Sequence, residues 1–255
     1  MKVAIIGVGA MGGALAKGLA NKGVDLVLEN PQSARVSKLA KQLSAELIND
    51  PADLPSHHPD IVLLVTPAPI TLEVAKTLTN LPDTVPVVSS AAGVKLADLK
   101  NALPWNPLAA MIPNTPVAVN DGAIGLTFDP KTSAEDKTKI TNLLSKLGAV
   151  IPVSEDKLDI VGVVGGCGPA YVDVMMDALS DAGVAHGLDR PTAYRLAAAM
   201  VKGSGSLALT TKQAPALLRD QVTSPGGTTI KGVLALEKNG FRNAVIEAVN
   251  KSAGK

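Results

Sequence analysis

Apolar and polar positions divide this chain into two patterns. Up to about residue 153, short apolar runs recur: Lys2-Val3-Ala4-Ile5-Ile6, Val24 to Leu28, Ile61-Val62-Leu63-Leu64-Val65 and Val85 to Val88, with Leu108 to Met111 as a further strand end. Such runs suit strands covered on both faces, as in a parallel sheet connected through helices. Helical spacing fills the gaps. Leu15 and Leu19 stand among alanines before Gly23, Ser33 to Leu47 patterns as a surface helix, and Leu72 to Leu78 as another. A further helix starts at Ser133 with Asp136 and ends at Gly148, with Gly122 to Phe128 and Gly148 to Val153 as edge strands around it. Beyond residue 153 the strand-like runs stop. Gly165-Gly166-Cys167-Gly168-Pro169 opens a helix running from about Ala170 to Gly183 or Gly187. Helices from Asp189, from Pro215 to Val222, from Thr229 to Glu237 and from Phe241 to Ala253 follow. The expected fold class is α/β, with a parallel-sheet domain over residues 1–153 and an all-helical domain over residues 154–255.

The first turn of the chain carries the clearest chemistry. Gly7-Val8-Gly9-Ala10-Met11-Gly12 is a GxGxxG run placed between a strand and a helix, the context in which that motif binds a dinucleotide in a Rossmann-type domain. Gly7 permits the tight turn, Gly9 lets backbone approach a diphosphate at the helix N-terminus, and Gly12 lets helix and strand pack closely. Glu29 ends the next strand, about twenty residues past the glycines, where an acid holds a ribose 2′-hydroxyl. That favours NAD, yet Asn30, Gln32, Ser33 and Arg35 follow and are suited to cradling the 2′-phosphate of NADP, so the choice stays open at this point. In open α/β sheets ligands sit at the carboxyl ends of strands. Thr66 and Pro67 are therefore expected to face the cofactor, and Ser89-Ser90-Ala91-Ala92-Gly93 leaves room for it. Pro113 and Pro116 stiffen the backbone around Asn114 and Thr115, which suits a nicotinamide pocket. The expected cofactor contacts are Gly7, Gly9, Ala10, Met11, Gly12, Glu29, Asn30, Asn49, Thr66, Pro67, Ala92 and Asn114.

A second candidate site lies late in the chain, at Val222-Thr223-Ser224-Pro225-Gly226-Gly227-Thr228-Thr229-Ile230. Ser224 is suited to an N-cap and Pro225 to a first helical position, while Gly226 and Gly227 bare backbone N–H groups. An anion is favoured at such a helix start. Thr228 and Thr229 add hydroxyls able to orient a carboxylate or a ring nitrogen. The expected substrate contacts are Ser224, Pro225, Gly226, Gly227, Thr228 and Thr229.

Composition narrows the remaining classes. Across 255 residues the hydrophobic share is 46% but aromatics are only 2%, so the cores are built from Ala, Val, Leu and Ile. A net charge of +1 with no basic block argues against nucleic acid as partner. One cysteine, Cys167, excludes an internal disulfide, and His57, His58 and His186 show no metal-ligand spacing with it, so no metal is expected and the adjacent His57 and His58 are expected to be solvated. Glycines and the charges Lys17, Lys22 and Asp25 interrupt the apolar start, and no cleavable leader is visible; a cytoplasmic chain is expected, with no membrane partner. Ala, Gly and Met positions in the helical half invite packing against a copy, a homodimer or higher oligomer.

Taken together these residues resemble the pyrroline-5-carboxylate reductase family. The resemblance rests on the GxGxxG run, Ala91-Ala92-Gly93-Val94, Pro113-Asn114-Thr115-Pro116, Gly168-Pro169-Ala170-Tyr171, and above all Leu218 to Glu237, where Val222 to Thr229 is followed by Gly232, Leu236 and Glu237. It implies a Rossmann domain followed by a helical domain that interlocks two subunits, the active site lying between cofactor domain and dimer core. It also implies hydride transfer from NADH or NADPH to the imine carbon of 1-pyrroline-5-carboxylate, giving L-proline, with Thr229 near the ring nitrogen as the catalytic candidate. Thr66 stands where many relatives carry Lys, Gly165 replaces a usual Ser, and Glu29 falls in the turn that meets the adenosine 2′ position. Two rivals are a β-hydroxyacid or other imine reductase and a non-catalytic dinucleotide sensor. The first wants a catalytic Lys on the opening helix of the second domain, and none stands between Ala170 and Ala185.

Overall fold

In a computed structural model describing residues 1–29, 33–78 and 80–254, the apolar runs form one sheet of eight strands. They are β1 (Lys2–Ile6), β2 (Asp25–Glu29), β3 (Glu46–Ile48), β4 (Ile61–Leu64), β5 (Val87–Ser89), β6 (Leu108–Ile112), β7 (Gly122–Phe128) and β8 (Gly148–Pro152). The strands lie in the order β3-β2-β1-β4-β5-β6-β7-β8. All neighbouring pairs are parallel except β6 and β7. The helices of this part are α1 (Ala10–Ala20), α2 (Ala34–Leu43), α3 (Ala68–Thr77), α4 (Leu96–Ala102), α5 (Ala134–Leu144) and the short α6 (Leu158–Val161).

The side-chain period of two builds two cores, one on each face of the sheet. Val3 and Ile5 of β1, with Leu26, Leu28, Ile61 and Leu63, pack under Leu15 and Leu19 of α1, Val36 of α2 and Leu143 of α5. Ala4, Ile6, Val27, Val62, Leu64 and Val87 face the other way, against Ala75 of α3 and Leu96 and Leu99 of α4. Every residue of β4 is buried, as an interior parallel strand requires.

Four sequence expectations are corrected. The helix expected over Ser33 to Leu47 stops at Leu43, because Ser44 turns left-handed at φ 52° and Glu46–Ile48 then pairs with β2 as the sheet edge. A strand that short carries too few residues to show a period. Gly122 to Phe128 is not an edge strand: β7 lies between β6, to which it is antiparallel, and β8. His57, expected to be merely solvated, places Nδ1 2.5 Å from Glu46 Oε2, while Lys2 Nζ lies 2.7 Å from the same carboxylate. The helix expected from about Ala170 begins far earlier. Leu158–Val161 passes without a break into a wide π-helical segment, Gly162–Cys167, and on into α7 (Gly168–Ala185). Gly165, Gly166 and Gly168 would place an added Cβ in open space, and none of them ends the helix.

Compactness divides the chain at Cys167 and Gly168, so the first unit runs past residue 153 and includes α6 and the π segment. The second unit contains α7, α8 (Arg190–Thr211), α9 (Pro215–Gln221), α10 (Thr228–Lys238) and α11 (Phe241–Ser252). Asp189 caps α8 by accepting the Thr192 N–H at 3.0 Å, and Arg190 reaches back to Ser180 and Asp181 of α7 at 2.8 and 2.7 Å. Few side chains of this unit are enclosed by it: Ser180, Ala193 and Ala197 are buried, whereas Val174, Leu196, Leu209, Leu234 and Ile246 are exposed. These helices carry far more apolar surface than they cover among themselves. The run from Glu155 to Ala185 is long and apolar enough to span a membrane by length and composition alone.

Candidate functional site

Strand order locates the first site. The chain builds β1, β2 and β3 outward in one direction, then returns to lay β4 on the other side of β1, which opens a crevice at the carboxyl ends of those strands. A cavity of about 1100 Å³ lies there. Of the residues expected to touch a cofactor, Gly7, Gly9, Ala10, Met11, Glu29, Asn49, Thr66, Pro67 and Ala92 all line it.

Each glycine of the first turn has a distinct physical reason. Gly7 has φ +89°, and a Cβ there would come 2.7 Å from the Val65 carbonyl oxygen and 2.9 Å from Thr66 Cγ2. Any side chain would be both strained and blocked. Gly12 does not line the cavity; it is buried beneath the turn, where a Cβ would run into the Gly7 carbonyl oxygen. Its part is the close approach of α1 to β1. Gly9 is the N-cap of α1, with open space where a Cβ would point. Ser33, Ser133 and Asp189 cap α2, α5 and α8 with side-chain oxygens, but α1 starts with no side-chain cap and no acid in its first turn. Its first N–H groups and the positive end of its dipole are therefore left to a ligand anion, and a dinucleotide diphosphate fits that need.

Glu29 closes β2 and is only 5% exposed. Its Oε2 accepts the Gly7 N–H at 3.3 Å, so the carboxylate is fixed against the glycine turn. Burial pushes its pKa above the ordinary carboxylate value; the Gly7 N–H opposes that shift and the charge of Asp50 adds to it. Arg35 donates to the Val8 carbonyl at 2.7 Å and so holds the same turn from the α2 side. Thr66 is buried, its hydroxyl 2.8 Å from that of Thr71, which also donates toward the Thr66 and Pro67 carbonyls. Asn30 lies outside the described residues.

Asn114 is not on the cavity wall, and both ends of its amide are used internally: Nδ2 donates to the Gly165 carbonyl at 3.0 Å and Oδ1 accepts the Ala123 N–H at 2.9 Å. Asn114 thus ties the π segment to β7. That matters to the cavity, since Gly162 and Val163 of the same segment, with Leu158 and Asp159, form part of its wall. These four are not among the residues expected from sequence. The glycine-rich run after them reads as the opening of a new helix, so the helical segment carrying these four is not visible before the fold is seen. Glu73, on α3, also lines the cavity.

The second candidate stretch lies in the helical unit. Ser224 is not a helix cap and Pro225 is not a first helical residue. Ser224 to Gly227 form a turn closed by the Gly227 N–H donating to the Ser224 carbonyl at 3.0 Å. Pro225 precedes Gly226 at φ +70°, the pairing of a type II turn. Helix α10 then starts from Gly227, so Thr228 and Thr229 are its first two residues. Like α1, it has no side-chain cap and no acid in its first turn. A Cβ on Gly227 would meet Ser224 Oγ, which keeps the position bare. The turn thus delivers an exposed hydroxyl pair and unclaimed N–H donors at one helix end.

Comparison with known proteins covers both units. Residues 155–255 match the family model described as pyrroline-5-carboxylate reductase dimerisation, and residues 2–93 match the one described as NADP oxidoreductase coenzyme F420-dependent. The pyrroline-5-carboxylate reductase of Synechocystis is 35% identical over 253 residues, covering 98% of this chain and 94% of the relative. Among solved structures, the pyrroline-5-carboxylate reductase of Coxiella burnetii superposes with a TM-score of 0.85 at 29% identity, covering 99% of this chain and 96% of that one. The Plasmodium falciparum pyrroline carboxylate reductase, solved with NADP bound, gives 0.83 at 27% identity, covering 100% of this chain and 96% of that one.

Proposed function

Because the chain belongs to the pyrroline-5-carboxylate reductase family, we infer that it is an NAD(P)H-dependent oxidoreductase reducing the cyclic C=N bond of 1-pyrroline-5-carboxylate to L-proline. The observation that carries this reading is that the family relation runs along 98% of the chain rather than through the dinucleotide fold alone. The reduced nicotinamide supplies the hydride.

The chain's own residues supply position and charge. In unit one, Gly9, Ala10 and Met11 present the first turn of α1 to the diphosphate, and Gly7 and Gly12 bring that turn down onto β1. In unit two, the first N–H groups of α10 and the hydroxyls of Thr228 and Thr229 suit the substrate carboxylate, which favours the positive end of a helix dipole. Hydride addition converts an iminium to a neutral amine. A hydroxyl, and Thr229 is the candidate, therefore needs only to orient the ring nitrogen and pass a proton.

The test is a spectrophotometric assay of reduced dinucleotide consumption with 1-pyrroline-5-carboxylate, comparing the natural chain with Thr229→Ala. Turnover by the natural chain is expected, and loss of the hydroxyl should lower kcat by about ten- to a hundredfold while leaving dinucleotide affinity within about twofold. A dinucleotide-binding chain that consumes no reduced cofactor would overturn the reductase reading. An unchanged kcat in the variant would remove Thr229 from the mechanism.

A further inference from the structure

We propose that Glu155 is a positioning residue for the hydride step, clipping together the two segments that wall the nicotinamide half of the cleft. This deepens the reductase reading and rests on it for the hydride, though not for the cofactor. A dinucleotide whose diphosphate sits on the first turn of α1 lies across the crevice, its adenosine over the end of β2 and its nicotinamide over the ends of β4, β5 and β6. On that side the wall is made by Ser90 and Ala92, after β5, and by Leu158, Asp159, Gly162 and Val163, on the helical run from α6 into the π segment. Glu155 joins the two. It stands in a short 3₁₀ turn (Glu155–Lys157) that leads into α6, and its Oε1 accepts the N–H of Leu96, the first residue of α4, at 2.6 Å.

The bond matters because packing leaves a hollow between these segments. A second cavity, of about 310 Å³, is bordered by Ala91, Gly93 and Lys95 on one side and by Glu155 and Asp156 on the other. Ala92, Leu158 and Asp159 border both cavities, so at these residues a single layer of chain separates cleft from hollow. Gly93 adds freedom, with φ +79° and open space where a Cβ would point. Upstream the loop is fixed: the Ser90 N–H donates to the Leu64 carbonyl at 2.8 Å, its hydroxyl donates there at 3.3 Å, and Ser89 Oγ accepts the Ala91 N–H at 3.2 Å. Downstream, Leu96 seats its side chain in the core, but Lys95 gives α4 no side-chain cap. Among the described residues, the bond from Leu96 to Glu155 is the one hydrogen bond between residues 89–96 and residues 155–167. A carboxylate reaching across a hollow thus sets the separation of the two walls, and with it the place of the nicotinamide ring. Hydride transfer is steep in that placement, since reacting atoms must come within about 3–3.5 Å of each other.

The experiment compares the full-length natural chain with Glu155→Ala, Glu155→Gln and Glu155→Asp, using whichever of NADH and NADPH binds tighter. Glu155→Gln keeps an acceptor oxygen at the same reach, whereas Glu155→Asp keeps the charge and falls short by a methylene. Glu155→Ala and Glu155→Asp should lower kcat with 1-pyrroline-5-carboxylate by about tenfold or more, and Glu155→Gln should stay within about threefold of the natural chain. By calorimetry, the same two variants should raise Kd for the reduced dinucleotide about threefold or more, and leave that for ADP-ribose, which has no nicotinamide, within about twofold. Where NADPH is the cofactor used, 2′-phospho-ADP-ribose takes the place of ADP-ribose. Because Glu155 is exposed, the variants should fold; should Glu155→Ala not do so, Glu155→Asp against Glu155→Gln makes the same comparison. A natural kcat in Glu155→Ala, a kcat kept by Glu155→Asp rather than by Glu155→Gln, or ADP-ribose weakening in step with the dinucleotide would overturn the proposal. The Kd comparison needs no turnover. A natural chain that leaves 1-pyrroline-5-carboxylate untouched would therefore sink the reductase reading and still let the two ligands decide this one.

Discussion

Two single residues of the first turn make separable predictions. Gly12→Ala drives a methyl group into the Gly7 carbonyl oxygen, and backbone on both sides leaves little to yield. Overpacking of this kind costs about 1–3 kcal/mol, so a chemical denaturation curve should shift by that much and dinucleotide affinity should fall with it. Glu29 predicts a pH dependence. Burial first, and the charge of Asp50 after it, hold its pKa above the usual 4.5, against the lowering effect of the Gly7 N–H. From 4.5 up to that raised value the folded chain binds more protons than the unfolded one. Stability of the dinucleotide-free protein should therefore fall as pH rises through that window and then level off. Thermal melts of the natural chain and Glu29→Gln across this range should differ by just that slope; parallel curves would show that the carboxylate titrates as it does in an unfolded chain.

At the scale of elements, the π segment Gly162–Cys167 is the part that sequence conceals. Its wide turn carries Gly162 and Val163 onto the cavity wall, and its position depends on the Asn114 amide between the Gly165 carbonyl and the Ala123 N–H. Removing a buried hydrogen-bonding side chain costs about 1–3 kcal/mol when its partners are left unsatisfied. Asn114→Ala should accordingly lower stability by that amount and raise KM for the reduced dinucleotide, although Asn114 does not line the cavity. A melting temperature equal to that of the natural chain would contradict the tie. The two helix starts that lack side-chain caps and first-turn acids, α1 and α10, were legible in part. GxGxxG announced α1 because Gly7 and Gly12 meet steric demands of the turn and Gly9 starts the helix without a side chain. Val222 to Thr229 announced a polar helix start one turn too early, because Ser224 and Pro225 are equally good in a turn and the left-handed Gly226 decides between the two.

At the scale of the whole molecule, the helical unit buries few of its own apolar side chains and matches a dimerisation family model over its full length. Exposed residues such as Val174, Leu209 and Leu234 are apolar surface of the kind an assembly covers. Sedimentation equilibrium should give a mass that is a multiple of the chain mass, and the melting temperature should rise with protein concentration, as mass action requires of a fold completed by association. A monomer at micromolar concentration with a concentration-independent melt would contradict this.

Sequence alone determined the parallel strands, because interior strands must be apolar throughout, and it determined the dinucleotide turn, because glycine is the one residue able to occupy Gly7 and Gly12. It also marked Glu29 as the acid at the end of β2. The fold decided what no local pattern carries. A three-residue edge strand is too short to show a period, and the antiparallel β7 reads like an edge until β8 pairs with it. Whether Asn114 faces ligand or backbone depends on partners distant in the chain, Ala123 and Gly165, which come within hydrogen-bond reach only once sheet and helix have packed.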